Sequence, residues 1–170
     1  VGGTIKFDGL HFTYYTNNNG LPGDGTGSLL EDKMGNIWIG SQKGIIKFDG
    51  KNFTHYTEKE GLSANIVYAM SKDGNGNIWI STNYGGINKF DGKNFTHFNL
   101  AQGLSNNKVR SILEDSNGNI WLSTEGGGIN KLNEGGFSYL PHNEVLANNR
   151  VRPIIKDKNG NIWFGTEGNG

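Results

Sequence analysis

Four copies of one tetrapeptide govern what this chain can fold into. Gly-Asn-Ile-Trp occurs at residues 35–38, 76–79, 118–121 and 160–163, and the chain has no tryptophan outside these copies. Trp38, Trp79, Trp121 and Trp163 are 41, 42 and 42 residues apart. A fixed period of that length marks a repeat architecture, in which no unit can bury its apolar face without stacked neighbours.

Within each period the residues read as four short strands. In the third copy, 108–115 is apolar and β-rich, 119–124 surrounds the tryptophan, and 129–132 and 137–140 complete the set. Turn residues separate them: Ser116-Asn117-Gly118, Gly126-Gly127-Gly128 and 133–136. Gly and Asn accept the positive φ that tight hairpins require. The same frame fits 67–73, 77–82, 86–90 and 95–98, and again 28–32, 36–40, 45–48 and 53–57. No stretch has helical periodicity, so the chain reads all-β.

Four-stranded sheets of about 42 residues become stable when stacked face to face around an axis, which is a β-propeller. Each indole can bury about 150–250 Å². At about 25 cal/mol per Å² that contributes at most about 4–6 kcal/mol. Phe12, Phe53, Phe95 and Phe137 recur in the fourth strand as a second aromatic layer. The four tryptophans are therefore expected as structural core.

The ends divide one unit between them. Gly2 to Gly9 repeats the third-strand text of Gly85 to Gly92 with Thr4-Ile5 as the main change, whereas the chain stops after the second strand of its last unit. The expected organisation is one propeller domain or propeller segment over 1–170. Its units cover about 17–57, 58–99 and 100–141, and 142–170 is completed by 1–16 or by another chain. Three arrangements satisfy this: a closed four-bladed ring, half of an eight-bladed ring made by two chains, or part of a longer propeller. The chain opens without an initiator Met, as a mature or partial chain would.

Composition removes several function classes. Sixteen basic residues balance sixteen acidic ones, which speaks against nucleic acid as partner and against an anionic membrane surface. No apolar run reaches the ~18 residues of a membrane span, so no membrane insertion is expected. With no cysteine, disulfides, thiolate nucleophiles and cysteine metal sites are excluded.

The units also carry a family resemblance. Gly103-Leu104-Ser105, Asn107, Val109, Leu113-Glu114-Asp115, Gly118 to Trp121, Thr124 and Gly127 to Ile129 form one pattern, continued by Lys89-Phe90-Asp91-Gly92 and Phe53 to Tyr56. This resembles the two-component regulator propeller repeat over essentially the whole chain. The resemblance implies the periplasmic or extracellular sensor region of a bacterial hybrid histidine kinase, with a distant similarity to streptogramin lyase propellers. Members of that family usually carry seven or more repeats per ring, against four here. A glycan, a similar polar ligand or a protein is the implied partner. A scaffold that oligomerises through open blade edges is the alternative, and lyase-like catalysis a further one.

Positions that break the repeat are where binding is expected. The loops before the first strand and between the second and third should share one face of the disc. One first-strand position there holds Gly27, Tyr68, Arg110 and Arg152 in the four units. Near it lie Asn65, Asn107 and Asn149, and from the other loop Gln42, Tyr84, Glu125 and Glu167. Such side chains hydrogen-bond hydroxyls and carboxylates, and tyrosine stacks on sugar faces. The competing reading has the asparagines capping loop amides and the arginines paired with Glu125 and Glu167.

Other motifs lead to no chemistry. Asp73-Gly-Asn75-Gly-Asn77 and its copies open like a calcium loop, but position 12 is Gly126 in the third copy and Gly168 in the fourth, where an acid is required. A hairpin turn is expected instead. His55 and His97 stand where other units have Tyr14 and Tyr139, one blade apart, and His11 and His142 are isolated. No catalytic residues, metal or cofactor are therefore expected.

Overall fold

The computed structural model describes residues 3–21, 25–140 and 150–167. The chain begins with a hairpin, β1 (Thr4–Phe7) and β2 (Phe12–Tyr15). Three complete four-stranded antiparallel sheets follow. The first is β3 (Thr26–Glu31), β4 (Ile37–Ser41), β5 (Gly44–Phe48) and β6 (Phe53–Tyr56). The second is β7 (Val67–Lys72), β8 (Ile78–Thr82), β9 (Gly86–Phe90) and β10 (Phe95–Phe98). The third is β11 (Val109–Glu114), β12 (Ile120–Thr124), β13 (Ile129–Asn133) and β14 (Gly136–Tyr139). A last hairpin joins β15 (Arg150–Lys156) to β16 (Ile162–Glu167). The fold is an all-β propeller of four repeats, with strands within two residues of the sequence expectation. Among the described residues, three single-turn 3-10 helices, Asn17–Asn19, Glu58–Glu60 and Leu100–Gln102, precede the repeats.

The core lies between blades. Trp38 of the first sheet joins Ile78, Ile80 and Phe90 of the second, and Trp79 joins Ile112, Ile120 and Leu122 of the third. Leu62 and Leu104 descend from the 3-10 turns to plug the same seams. The best-packed indole is held on several sides. Trp38 stacks on Tyr56 at 5.5 Å, meets Phe90 at 5.6 Å and lies under the Lys47 ammonium at 5.7 Å. Its Nε1 donates to Asp32 Oδ2 at 2.8 Å. The same bond recurs at Trp79, Trp121 and Trp163, to Asp73, Asp115 and Asp157.

These aspartates close the turn that resembles a calcium loop. Asp73 accepts from the amides of Asn75 and Asn77, from Asn77 Nδ2 and from the Trp79 indole. Its carboxylate is thus spent on internal donors. Among the described residues no group of three or more His, Cys, Asp or Glu is arranged for a metal. The sequence identifies the aspartate as a turn residue and gives no sign of its link to the indole.

The sequence leaves the last unit to be completed by residues 1–16 or by another chain, and among the described residues β1–β2 and β15–β16 form separate two-stranded sheets. Each hairpin is held by its own neighbour. Tyr15 sits on Phe48 and Phe53 of the first full blade, and Phe164 sits on Trp121 of the third. Inter-blade packing thus fixes both hairpins without strand pairing between them.

Candidate ligand-binding face

Inner strands β3, β7, β11 and β15 lie side by side, and each carries a β-bulge. Pairing with the second strand slips between Thr26 and Ser28, Val67 and Ala69, Val109 and Ser111, and Val151 and Ile154. The extra residue in the first three is Gly27, Tyr68 or Arg110, and Arg152 lies inside the fourth slip. The variable position of the sequence is therefore the bulge position. A bulge releases a residue from the ladder and re-aims its side chain. Gly27 is the tight member, since a Cβ there would stand 3.0 Å from the Val67 carbonyl oxygen.

Three consecutive units join their bulge residues into one polar line. The Arg110 guanidinium lies 4.3 Å above the Tyr68 ring, and Tyr68 Oη donates to Asn83 Oδ1 at 2.8 Å. Arg110 Nε donates to Glu125 Oε2 at 3.0 Å, and its Nη2 meets the same oxygen. The other oxygen of Glu125 is 3.6 Å from Arg150 Nε. Arg150 then approaches Glu167 at 3.9 Å, and Glu167 pairs with Arg152 at 3.0 Å. The Arg110 end is sheltered, whereas Arg150 and Arg152 are more than half exposed. Hydrogen bonds and charge from Arg110 hold the Glu125 carboxyl below the usual range, and Glu125 raises the Arg110 guanidinium against the opposing effect of burial.

The other expected residues are placed as follows. Tyr84 stands at the rim, exposed, with φ of 60° and the Lys108 ammonium 4.7 Å from its ring. Asn65 and Asn107 are engaged elsewhere: their Oδ1 atoms accept from the Glu58 and Leu100 amides at 3.0 Å, fastening the 3-10 turns. Asn149 and His142 lie outside the described residues. Sequence reasoning missed Arg150, Asn83 and Lys108. Arg150 was in view, two residues before Arg152 in one strand, because alternate strand residues share a side.

His55 and His97 lie on outer strands, and His97 Nε2 meets the Gly61 carbonyl at 2.7 Å. A groove of about 1050 Å³ opens at the opposite, turn-bearing side between the second and third blades, lined by Asp73, Trp79, Lys89, Glu114 and Asn119 among others. Asp73, Trp79, Lys89 and Asn119 of its lining recur in every unit, whereas the bulge position is Gly, Tyr or Arg according to the unit.

Comparison with known proteins agrees with this architecture. The family described as two component regulator propeller matches residues 20–43, 61–84, 103–126 and 145–168, more than half of the chain. The extracellular domain of a hybrid two component system from B. thetaiotaomicron is 27% identical over 91% of this chain, with a TM-score of 0.78. A second extracellular domain from that organism, of a one component system, is 23% identical over 97% of the chain, with a TM-score of 0.79. The chain spans 22% and 26% of the length of those two proteins. A virginiamycin B lyase from Staphylococcus aureus, 17% identical, shares the fold over 95% of this chain and 55% of its own, with a TM-score of 0.71. No curated protein matches the chain significantly. The repeat, the blade structure and the matched segments coincide unit for unit, and the chain belongs to the two component regulator propeller family.

Proposed function

We propose that this chain is a non-catalytic binding unit of an extracytoplasmic bacterial sensor. It takes a glycan or similar polar ligand on the face formed by Tyr68, Arg110, Glu125, Arg150, Glu167 and Arg152. The observation that carries this reading is the bulge line: on a scaffold where most positions repeat, the re-aimed position is Gly27, Tyr68, Arg110 and Arg152 in the four units and carries a large polar side chain in three of them. The similarity to extracellular sensor domains supports the setting. Among the described residues no helix is long and apolar enough to cross a membrane.

The line suits an anionic group. Arg110, Arg150, Arg152 and Lys108 outnumber Glu125 and Glu167, leaving two positive charges in excess. The two pairs of Glu167, at 3.9 Å to Arg150 and 3.0 Å to Arg152, are more than half exposed on both sides, and such ion pairs are worth about 0–1 kcal/mol each. A ligand carboxylate that displaces Glu167 gives up little and gains charge-assisted bonds worth about 1.5–3 kcal/mol. Tyr84 and Tyr68 offer aromatic faces for a sugar ring. The non-catalytic reading rests on His11, His55 and His97, which stand on the outer hairpins away from this line.

The test is calorimetric titration, guided by a glycan array of neutral and uronic-acid oligosaccharides. The expected result is preference for carboxylated glycans, lost about tenfold or more in Arg110→Ala and in Arg152→Ala. Binding that is unchanged in both variants removes this face.

A further inference from the structure

The repeat is also broken at the turns on the opposite side. The residue after each turn aspartate is Lys33, Gly74, Ser116 and Lys158, and the residue before it is Glu31, Lys72, Glu114 and Lys156. Several of these side chains cross between neighbouring blades. Lys33 reaches forward to the second blade. Its Cδ, Cε and Nζ pass 3.3, 3.6 and 3.7 Å from where a Cβ of Gly76 would stand, and its ammonium meets the Gly74 carbonyl. Lys72 reaches back and donates to the Glu31 carbonyl at 2.9 Å. Lys156 makes the same backward reach, to Ser116 Oγ at 3.2 Å. The seam between the first two full blades is thus closed over by two lysines of the chain itself.

Between the second and third blades both lysines are gone. Gly74 stands in the place of Lys33, and Glu114 in the place of Lys72. Glu114 Oε2 accepts from the Gly74 amide at 2.7 Å, and its Oε1 has no hydrogen-bond partner among the described residues. That free oxygen lies 4.0 Å from where a Cβ of Gly118 would stand, and Gly118 is the counterpart of Gly76. A carboxylate oxygen therefore faces the spot that a lysine stem and ammonium fill one seam earlier. The groove of about 1050 Å³ is this seam, with Glu114, Asn117, Gly118 and Glu134 in its lining. Glu134 is exposed, in a turn where the second blade has Gly92, and adds a second carboxylate at the rim. Asp73 offers no free acceptor, because its carboxylate already takes four internal hydrogen bonds.

We propose that this groove binds a lysine side chain presented by a partner protein. The stem lies over Gly118, as that of Lys33 lies over Gly76, and the ammonium bonds Glu114 Oε1. Glu134 adds attraction from the rim. A charge-assisted bond of this kind is about twice as strong as a neutral one, and the methylenes of the stem add apolar contact. Other occupants fit the groove less well. A sugar ring needs an open aromatic face, but Trp79 is 5% exposed, with Phe98 stacked at 5.7 Å and the Lys89 ammonium 5.6 Å over its ring. A metal ion needs several converging ligands, and among the described residues no group of three or more His, Cys, Asp or Glu is so arranged. The site is separate from the bulge line and does not rest on the ligand-binding reading. The two faces select opposite charge, an anion at the arginines and a cation at Glu114.

Amide chemical-shift titration of the chain with the peptide acetyl-Gly-Ser-Lys-Ser-Gly-amide at low ionic strength tests the site. Saturable perturbations are expected at Gly74, Glu114, Asn117 and Gly118, with the bulge line unmoved. The same peptide with norleucine in place of lysine is expected to leave these amides where they are. Glu114→Gln keeps an acceptor for the Gly74 amide but removes the charge, and is expected to weaken binding about tenfold. Gly74→Lys supplies the lysine from within the chain, as Lys33 does one seam earlier, and is expected to abolish peptide binding. Gly74→Ala adds no ammonium and is expected to bind as the unsubstituted chain does, which separates occupation of the groove from damage to the turn. Equal perturbation by the norleucine peptide overturns the proposal. So does binding indifferent to Glu114→Gln or to Gly74→Lys, a pattern centred on the bulge line, or an absence of shifts up to millimolar peptide.

Discussion

Trp79→Ala is expected to lower the unfolding free energy by about 3–5 kcal/mol, the range for truncating a large buried aromatic. The same change at Trp163, measured on dilute single chains, is expected to cost about 1 kcal/mol or less, as at exposed positions generally. The two residues share a motif, an aspartate partner and a place in the repeat. They differ in what lies on the other side. Trp79 is 5% exposed, stacked with Phe98 and set in the seam with the third blade, and Trp163 is 60% exposed. Chemical denaturation of both variants reads the difference. Equal losses would mean that the indole acts through its own hairpin rather than through the seam between blades.

The second large effect is expected at the aspartate that holds the indole. Asp73→Ala removes a buried carboxylate that accepts four hydrogen bonds, from Asn75 N, Asn77 N, Asn77 Nδ2 and Trp79 Nε1. The stranded indole N–H and turn amides are expected to cost about 1.5–3 kcal/mol. The same residues predict acid sensitivity. Burial pushes the Asp115 carboxyl up, but hydrogen bonds from Trp121 and Asn119 outweigh it and bring the group down to about 2. The Asp157 carboxyl is also lowered to about 2, chiefly by the Trp163 indole and then by Asn161. Asp32 and Asp73 shift in the same direction, their hydrogen bonds again outweighing burial. A carboxyl lowered on folding stabilises the fold above its unfolded value of about 3.9, and that stability is lost as pH falls towards the folded value. Stability is therefore expected to be level down to about pH 4 and to fall steeply between about pH 4 and 2. Asp73→Ala should flatten that fall in part, because Asp32, Asp115 and Asp157 remain, and a fall unchanged in the variant would remove Asp73 from the groups that set acid unfolding.

The repeat makes the scaffold legible in the sequence itself. Its period, its Asn-Gly turns and its β-branched residues place each strand of the three full blades within two residues of its observed limits. These are local signals, and each is reinforced by its copies. What is not legible depends on pairing across strands. The bulges at Tyr68 and Arg110 exist only relative to the register of β8 and β12, so variability flags the position without giving its cause. The Asp73–Trp79 bond spans a turn and requires the indole to fold back over the hairpin, a geometry no residue pattern announces. Asn65 and Asn107 belong near the face, but their side chains are committed to the Glu58 and Leu100 amides. Capping and ligand binding use the same amide group, and residue type alone does not decide between the two. The ends are harder still, because their composition shows what they match and not what they reach.

We propose that ligand binding resides where the repeat is broken, at the bulge line of the inner strands. Amide chemical-shift mapping by NMR during titration with a uronic-acid oligosaccharide tests it most directly. The expected perturbations concentrate at Tyr68, Tyr84, Arg110, Glu125, Arg150 and Arg152, and the Gly-Asn-Ile-Trp turns stay unmoved. Perturbations centred instead on Asp73, Glu114 and Asn119, at the opposite groove, would contradict the account.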